Sequence, residues 1–261
     1  MGLVMHKGWA LGCTEFAVPG KTLEDKLRTL ESRGMWLELV NDGKKQLKDV
    51  LDVLQSFDTS IESVQAYMLH KLQILSAGEN ERKVALRHIE DTIKLASGVG
   101  AKNVVTTIAY GEPVIENPME KCVELFKHFG KLGEEFNVVV SIEPLGRDRT
   151  TFLPSMPGVH RLVQDVGSAH VRLMADTMHI YANGENVAKI VGEYASEITE
   201  LQLRDTDSRP PGQGKIDFAP VLKVVREKFK GLVCLEYQPG PDPLADLDSA
   251  LETTKIISAA R

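Results

Sequence analysis

The stretches VVVSIEP (138–144), GVHRLVQDV (158–166) and VRLMAD (171–176) follow one another along the chain and decide how it folds. The first and third are short apolar runs rich in β-branched residues, which favour buried strands. The second spaces its apolar residues three and four apart, as an amphipathic helix does. Because the connection between the two strands is itself a helix, we expect the strands to be parallel members of one sheet.

The same alternation extends over the whole chain and predicts eight strands and eight helices. The first helix shows the signals clearly, since Thr22 can cap it, Asp25 follows three residues later, and Gly34 ends it. The predicted strands are WALGCTEF (9–16), MWLELV (35–40), IESVQAYM (61–68), NVVTTIA (103–109), VVVSIEP (138–144), VRLMAD (171–176), ITELQLRD (198–205) and LVCLEY (232–237).

Eight strand–helix units of roughly 33 residues each suit a closed (β/α)8 barrel, the TIM barrel. An open, doubly wound sheet is the alternative, but no predicted strand is followed by a GxGxxG phosphate-binding turn. The sequence contains no low-complexity linker or block of charge. We therefore expect one α/β domain over residues 1–261.

Composition excludes several classes of protein. The chain has 31 Lys and Arg against 37 Asp and Glu, a net charge of −6, which disfavours non-specific binding to nucleic acid. No apolar run approaches the ~18 residues of a membrane span, so we expect no membrane contact and a cytoplasmic location. The three cysteines lack disulfide or zinc-site spacing, and we expect them to be buried thiols.

Polar residues end each of the last four predicted strands: Glu143, Asp176, Gln202 and Glu236. They lie about one unit apart, so in a barrel they would point towards a common centre. A single carboxylate at a strand end is usually a solvated loop residue, but three that converge in a barrel mouth would repel one another without a cation. Four oxygen ligands favour a hard divalent ion such as Mg²⁺ or Mn²⁺.

Four segments resemble the sugar phosphate isomerase/epimerase family of xylose isomerase-like TIM barrels: SIEPLG (141–146), LMADTMH (173–179), LQLRDTDSRPPGQGKIDF (201–218) and CLEYQPG (234–240). In that family Glu, Asp, His and Glu from strands five to eight bind one divalent ion. The resemblance implies that Glu143, Asp176, Gln202 and Glu236 are the metal ligands and that Glu143 and Glu236 also carry protons. Gln202 departs from the family's usual His, which would favour Mn²⁺ or Mg²⁺ over Co²⁺ or Zn²⁺.

Three residues are candidates for substrate binding. His179 matches a family histidine that contacts substrate, and Arg209 lies near a family arginine that touches substrate oxygens. His70, near the end of the third strand, is a third candidate, although a lone histidine is equally compatible with a packed or solvated residue. Glu15 and Glu38, late in the first two strands, could bind substrate hydroxyls.

The resemblance implies a divalent-metal-dependent isomerase or epimerase of a small sugar, sugar phosphate or hydroxy-keto acid. Two glutamates would transfer protons through a metal-stabilised enediolate. The alternatives are a metal-dependent dehydratase of an inosose or dehydroshikimate-like substrate and a non-catalytic sugar-binding barrel. The expected partner is a small carbohydrate or keto acid, with no nucleic acid and no membrane, and homo-oligomer formation is left open.

Overall fold

The computed structural model describes residues 11–259. Its eight strands are all parallel and form a closed barrel in which each strand pairs with its neighbour in sequence and the last pairs with the first. This confirms the predicted (β/α)8 barrel; the predicted first strand begins at Trp9, which lies outside the described residues. The strands are β1 (Leu11–Thr14), β2 (Trp36–Asn41), β3 (Ile61–Ala66), β4 (Asn103–Thr107), β5 (Val139–Glu143), β6 (Val171–Asp176), β7 (Ile198–Leu203) and β8 (Leu232–Leu235).

The helices surround the barrel, and residues 11–259 contain nine of them where eight were predicted. The additional one arises because two helices follow β6. Asp176 caps the first of these by accepting hydrogen bonds from the backbone nitrogens of Met178 and His179. The helices are α1 (Leu23–Glu31), α2 (Leu47–Leu54), α3 (Glu79–Val99), α4 (Pro118–Phe136), α5 (Met156–Val166), α6 (Thr177–Ala182), α7 (Val187–Glu193), α8 (Phe218–Lys228) and α9 (Pro243–Ala259).

Apolar side chains fill the space between the barrel and the helices. Leu27 and Leu30 of α1 and Ile89 and Ile93 of α3 are fully buried, as the three- and four-residue spacing predicts. None of the helices in residues 11–259 is long and apolar enough to cross a bilayer.

A buried indole packs against the first strand. Trp36 pairs in register with Gly12 and is fully buried. A Cβ atom at Gly12 would lie 2.3 Å from two carbons of the indole, so glycine is required for Trp36 to fit there. Because side chains alternate along a strand, Trp36 and Glu38 lie on the same side of β2, with Glu38 nearer the carboxyl end.

Candidate active site

A cavity of about 410 Å³ opens at the carboxyl ends of the strands, the end at which barrels of this architecture place their functional groups. Carboxylate, imidazole, amide and phenol groups all face it. Its lining includes Gln65, His70, Tyr110, Glu143, His179 and Glu236.

Asp176 is buried at the end of β6, and both of its carboxylate oxygens accept hydrogen bonds. Oδ1 accepts the backbone N–H groups of Met178, at 2.7 Å, and His179, at 3.2 Å. Oδ2 accepts a hydrogen bond from Nε of Arg204 at 2.8 Å and lies 2.5 Å from Nη2 of the same guanidinium. Asp176 and Arg204 therefore form a buried, two-pronged ion pair.

Arg204 follows β7 and lines the cavity. Besides Asp176, its Nη2 atom approaches three further groups. The distances are 3.2 Å to Nε2 of His179, 3.5 Å to Oε2 of Glu236 and 4.0 Å to Oε1 of Glu143. The three carboxylates that the sequence predicted to converge thus surround one guanidinium.

The two glutamates have environments that favour the protonated form. Burial, together with the charges of Glu236 and Asp176, raises the pKa of Glu143 well above its usual value. Burial raises the pKa of Glu236 to about 7, against the opposing charge of Arg204. Gln65 on β3 holds Glu236 in place by donating Nε2 to Oε1 at 3.2 Å. Glu236 can therefore hold or release a proton near neutral pH, and the environment of Glu143 favours its protonated form.

Asp176 and His179 each keep one charge state near neutral pH. Burial alone would raise the pKa of Asp176, but Arg204 outweighs it and the pKa is lowered. Burial lowers the pKa of His179 to about 4, so its ring is neutral. Since Arg204 can only donate, Nε2 of His179 accepts and Nδ1 carries the proton. That Nδ1 has no hydrogen-bond partner among the described residues.

Gln202 is the register partner of Asp176 in the paired strands β6 and β7, and its side chain reaches Glu38 of β2. Its Nε2 donates to both carboxylate oxygens of Glu38 at 2.8 Å. Its Oε1 is buried and has no partner within residues 11–259. The amide oxygen, which the metal prediction requires, is therefore the atom left available.

The floor of the site is polar, whereas interiors of this fold are usually filled by Val, Ile and Leu. Glu38 accepts a hydrogen bond from Thr14, and Glu200 accepts one from Asn103 at 2.8 Å. Burial raises the pKa of Glu200 to about 7 and that of Glu38 well above its usual value. Ligand-type atoms of Glu38, Glu200 and Cys234 lie within 4.8 Å of one another, as do those of the cluster Glu143, Asp176 and His179.

The structure brings two of the predicted substrate-binding residues to the cavity. His179 lies over the carboxylates on α6, 3.5 Å from Oε1 of Glu143. His70 lies on the wall between two tyrosines, with ring centroids 5.6 Å from Tyr67 and 6.1 Å from Tyr110. Tyr67, His70 and Tyr110 thus form an aromatic wall in the cavity that also contains Glu143 and Glu236.

Other candidates lie away from the cavity. Arg209 is exposed, lies 3.8 Å from Asp207 and donates to the carbonyl oxygen of Gln213. It does not line the cavity. Glu15 pairs with Lys45 at 2.8 Å and does not line it either.

Sequence reasoning missed Arg204, Arg149 and Gln65, all of which line the cavity. The alternation of a strand could have found Arg204, because it lies two residues after Gln202 and so on the same side of an extended chain. The same rule places Gln65 near the end of β3 on the side of Ser63.

A closed parallel barrel with acidic residues at the carboxyl ends of its strands has the architecture of a TIM-barrel enzyme. Residues 23–255 match the family model described as xylose isomerase-like TIM barrel, and the chain belongs to this family.

Curated relatives include isomerases and epimerases. The chain is 26% identical over 117 residues to a D-psicose 3-epimerase of Enterocloster bolteae, a match covering 44% of this chain and 39% of that protein. It is 27% identical over 123 residues to a putative hydroxypyruvate isomerase of Streptomyces coelicolor, covering 44% of each. An inosose isomerase of Bacillus subtilis is 23% identical over 193 residues, 68% of each chain. The first two matches thus span less than half of the relatives' length.

Solved structures share the fold. The apo form of the 3-keto-D-glucoside 4-epimerase of E. coli has a TM-score of 0.82 and 18% identity, and the superposition covers 95% of this chain and 98% of the other. The IOLI protein, solved with a bound zinc atom, has a TM-score of 0.78 and 19% identity, with 96% and 98% covered.

Proposed function

We propose that this protein is an isomerase or epimerase of a small sugar, sugar phosphate or hydroxy-keto acid. One observation carries the proposal: two buried glutamates, Glu143 and Glu236, face the same cavity, and both have raised pKa values. Binding alone does not require two such groups, whereas moving a proton on and off carbon does.

The reaction begins when one glutamate takes a proton from the carbon next to the substrate carbonyl, which leaves an enediolate. If the other glutamate returns a proton on the opposite face of that carbon, the centre is inverted. If the first glutamate returns it to the neighbouring carbon, and the hydroxyl proton passes from one substrate oxygen to the other, an aldose and a ketose are interconverted. A pKa of about 7 lets Glu236 serve as base or acid at neutral pH.

Neighbouring groups would hold the substrate and its developing charge. The ring of His179 lines the cavity, with its Nε2 atom 3.5 Å from Oε1 of Glu143, and would contact a substrate oxygen there. Gln65 keeps Glu236 directed towards the cavity. The aromatic wall of Tyr67, His70 and Tyr110 offers apolar faces to the C–H groups of a sugar.

The donor set fits one divalent metal ion, which Glu143, Asp176, Gln202 and Glu236 would hold. Two buried acceptors, Oε1 of Gln202 and Oε2 of Glu236, lack a hydrogen-bond partner in residues 11–259. Oxygen atoms are hard ligands, and they favour Mn²⁺ or Mg²⁺, with Co²⁺ or Zn²⁺ as further candidates. Such an ion would supply a Lewis acid that polarises the substrate carbonyl.

A dehydratase is the second candidate, because an enediolate can also expel a β-hydroxyl group. An inosose dehydratase of Clostridium beijerinckii is 25% identical over 122 residues, which cover 38% of this chain and 41% of that protein.

The test is a screen of ketoses, their phosphates, hydroxypyruvate and inososes with Mn²⁺ in deuterated water. An isomerase or epimerase produces an isomer, with solvent deuterium on the carbon next to the carbonyl wherever the glutamate exchanges its proton. A dehydratase instead gives an enone-like product with new ultraviolet absorbance. Tight binding of a substrate with neither isomer, exchange nor elimination would favour the sugar-binding barrel.

A further inference from the structure

Three of the four proposed metal ligands, and His179, lie around the guanidinium of Arg204. Nη2 has Oδ2 of Asp176 at 2.5 Å, Nε2 of His179 at 3.2 Å, Oε2 of Glu236 at 3.5 Å and Oε1 of Glu143 at 4.0 Å. Three of these groups, Glu143, Asp176 and His179, place ligand-type atoms within 4.8 Å of one another. A monovalent cation of the chain itself therefore lies beside three of the proposed ligands.

We propose that Arg204 is the resident cation of this site and competes with divalent metal ions for the same acceptors. A metal ion then binds only when the guanidinium withdraws. The inference rests on the ligand set named in the proposed function.

Asp176 gives the first reason. A carboxylate offers about four lone pairs, two on each oxygen. Oδ1 already accepts the N–H groups of Met178 and His179, and Oδ2 accepts Nε and Nη2 of Arg204. The backbone donors are fixed by α6, so Arg204 is the partner that must leave before Asp176 can coordinate an ion.

Charge gives the second reason. The guanidinium carries a positive charge at any accessible pH. A divalent ion beside it would meet strong like-charge repulsion in a site shielded from water. The two cations therefore exclude each other.

Position gives the third reason. Arg204 lines the cavity, whereas its partner Asp176 is buried and does not line it. An ion that enters from the cavity thus meets the guanidinium before it meets Asp176. The cavity of about 410 Å³ leaves space into which the side chain can withdraw.

Three variants test the competition by Mn²⁺ binding without substrate, measured by calorimetry and by electron paramagnetic resonance. Arg204→Met removes the charge and should tighten Mn²⁺ binding roughly 10- to 100-fold, since it removes two charge-assisted hydrogen bonds that the ion must otherwise break. Arg204→Lys keeps the charge and should stay close to wild type. Arg149→Met is the matched control, because Arg149 lines the same cavity but has Asp148 as its carboxylate neighbour at 4.0 Å.

The wild-type protein supplies a readout that needs no substitution. The Nε–H proton of Arg204 is hydrogen-bonded to Asp176. In ¹⁵N NMR spectra it should give a signal that is protected from exchange with solvent. Titration with diamagnetic Mg²⁺ should remove that protection in proportion to the occupancy of the site. Should Arg204→Met fail to fold, Arg204→Gln, which keeps polar donors without the charge, takes its place.

Two results would overturn the proposal. One is a folded, uncharged variant that binds Mn²⁺ no more tightly than wild type, including the case in which neither binds. The other is saturation of the wild type by Mg²⁺ with the Arg204 Nε–H signal unchanged. Both concern metal binding alone, so they are separate from the exchange experiment that tests the isomerase activity.

Discussion

The side-chain amide nitrogen of Gln202 lies 2.8 Å from both carboxylate oxygens of Glu38. This contact fixes the orientation of the amide, since its nitrogen must face the floor and its oxygen is left without a partner among the described residues. Glu38 thus leaves a buried oxygen acceptor on Gln202.

The substitution Gln202→His should change which metals bind. One imidazole nitrogen can donate to Glu38 while the other takes the place of Oε1, so an oxygen ligand becomes a nitrogen ligand. The preference should move from Mn²⁺ and Mg²⁺ towards Co²⁺ and Zn²⁺. The check is the order in which the four ions raise the thermal midpoint, since an ion that binds only the folded state stabilises it.

Gln238→His is the control for that series, because Gln238 lines the cavity and is exposed. It should leave the order of metals as in wild type. The same order in Gln202→His would show that Gln202 is not a ligand.

The barrel could be predicted from the sequence because its signals are local and repeated. Apolar runs alternate with amphipathic helices, and a helical crossover forces neighbouring strands to be parallel. The convergence of Glu143, Asp176 and Glu236 followed from the same repetition, since each of them lies at or just after the carboxyl end of a strand.

Features that depend on long-range contacts could not be predicted in this way. Helix α6 is short and forms because Asp176 caps it, a role that competes with the one assigned to that residue as a ligand. From the sequence alone, Arg204 is a basic residue that follows a strand, a position that is usually exposed to solvent. Only the closed barrel brings it against carboxylates from β5 and β6 and from the end of β8.

The contact between Gly12 and Trp36 predicts a stability effect. In Gly12→Ala the new methyl group would lie 2.3 Å from the indole, so the side chain or strand must move, and we expect a loss of about 1–3 kcal/mol. Gly192→Ala is the matched control. Gly192 lies within α7, and its new Cβ would make an ordinary contact with Val224 of α8 at 3.5 Å. It should stabilise the protein by about 0.5–1 kcal/mol. Urea unfolding measures both, and equal stability of the two variants would contradict the packing argument.

Glu200 predicts how stability depends on pH. Burial raises its pKa in the folded protein from 4.5 to about 7. A raised pKa means that the fold prefers the protonated acid, so this contribution is complete below about pH 4.5 and is lost as the pH rises through about 7. Between these two pH values the folded protein binds more protons than the unfolded chain. The free energy of unfolding should therefore fall as the pH rises over this range.

Glu200→Gln should remove that part of the pH dependence. An amide resembles the protonated acid and its oxygen can still accept from Asn103, so the variant should be more stable than wild type above about pH 7. Denaturant unfolding from acid to mildly alkaline pH measures the difference. Glu135→Gln, an exposed residue of α4, serves as control, and parallel stability curves for Glu200→Gln and wild type would refute the prediction.

The last prediction concerns the two glutamates that face the cavity. Replacement by Ala would confuse loss of a metal ligand with loss of a base, whereas Gln keeps a coordinating oxygen and removes the proton affinity. Glu143→Gln and Glu236→Gln should each lower kcat about 10²- to 10⁴-fold. Substrate affinity should change much less, because the cavity keeps its shape.

Deuterium exchange then separates the roles of the two residues. If each glutamate serves one face of the substrate, Glu143→Gln should still exchange the C–H of one epimer and Glu236→Gln that of the other. If a single glutamate shuttles the proton between neighbouring carbons, one variant loses exchange completely and the other retains it. Glu135→Gln should behave as wild type in both assays, since it lies on the outer surface of α4. Full turnover in both cavity variants would exclude proton transfer by these glutamates, because neither would then be required to move a proton.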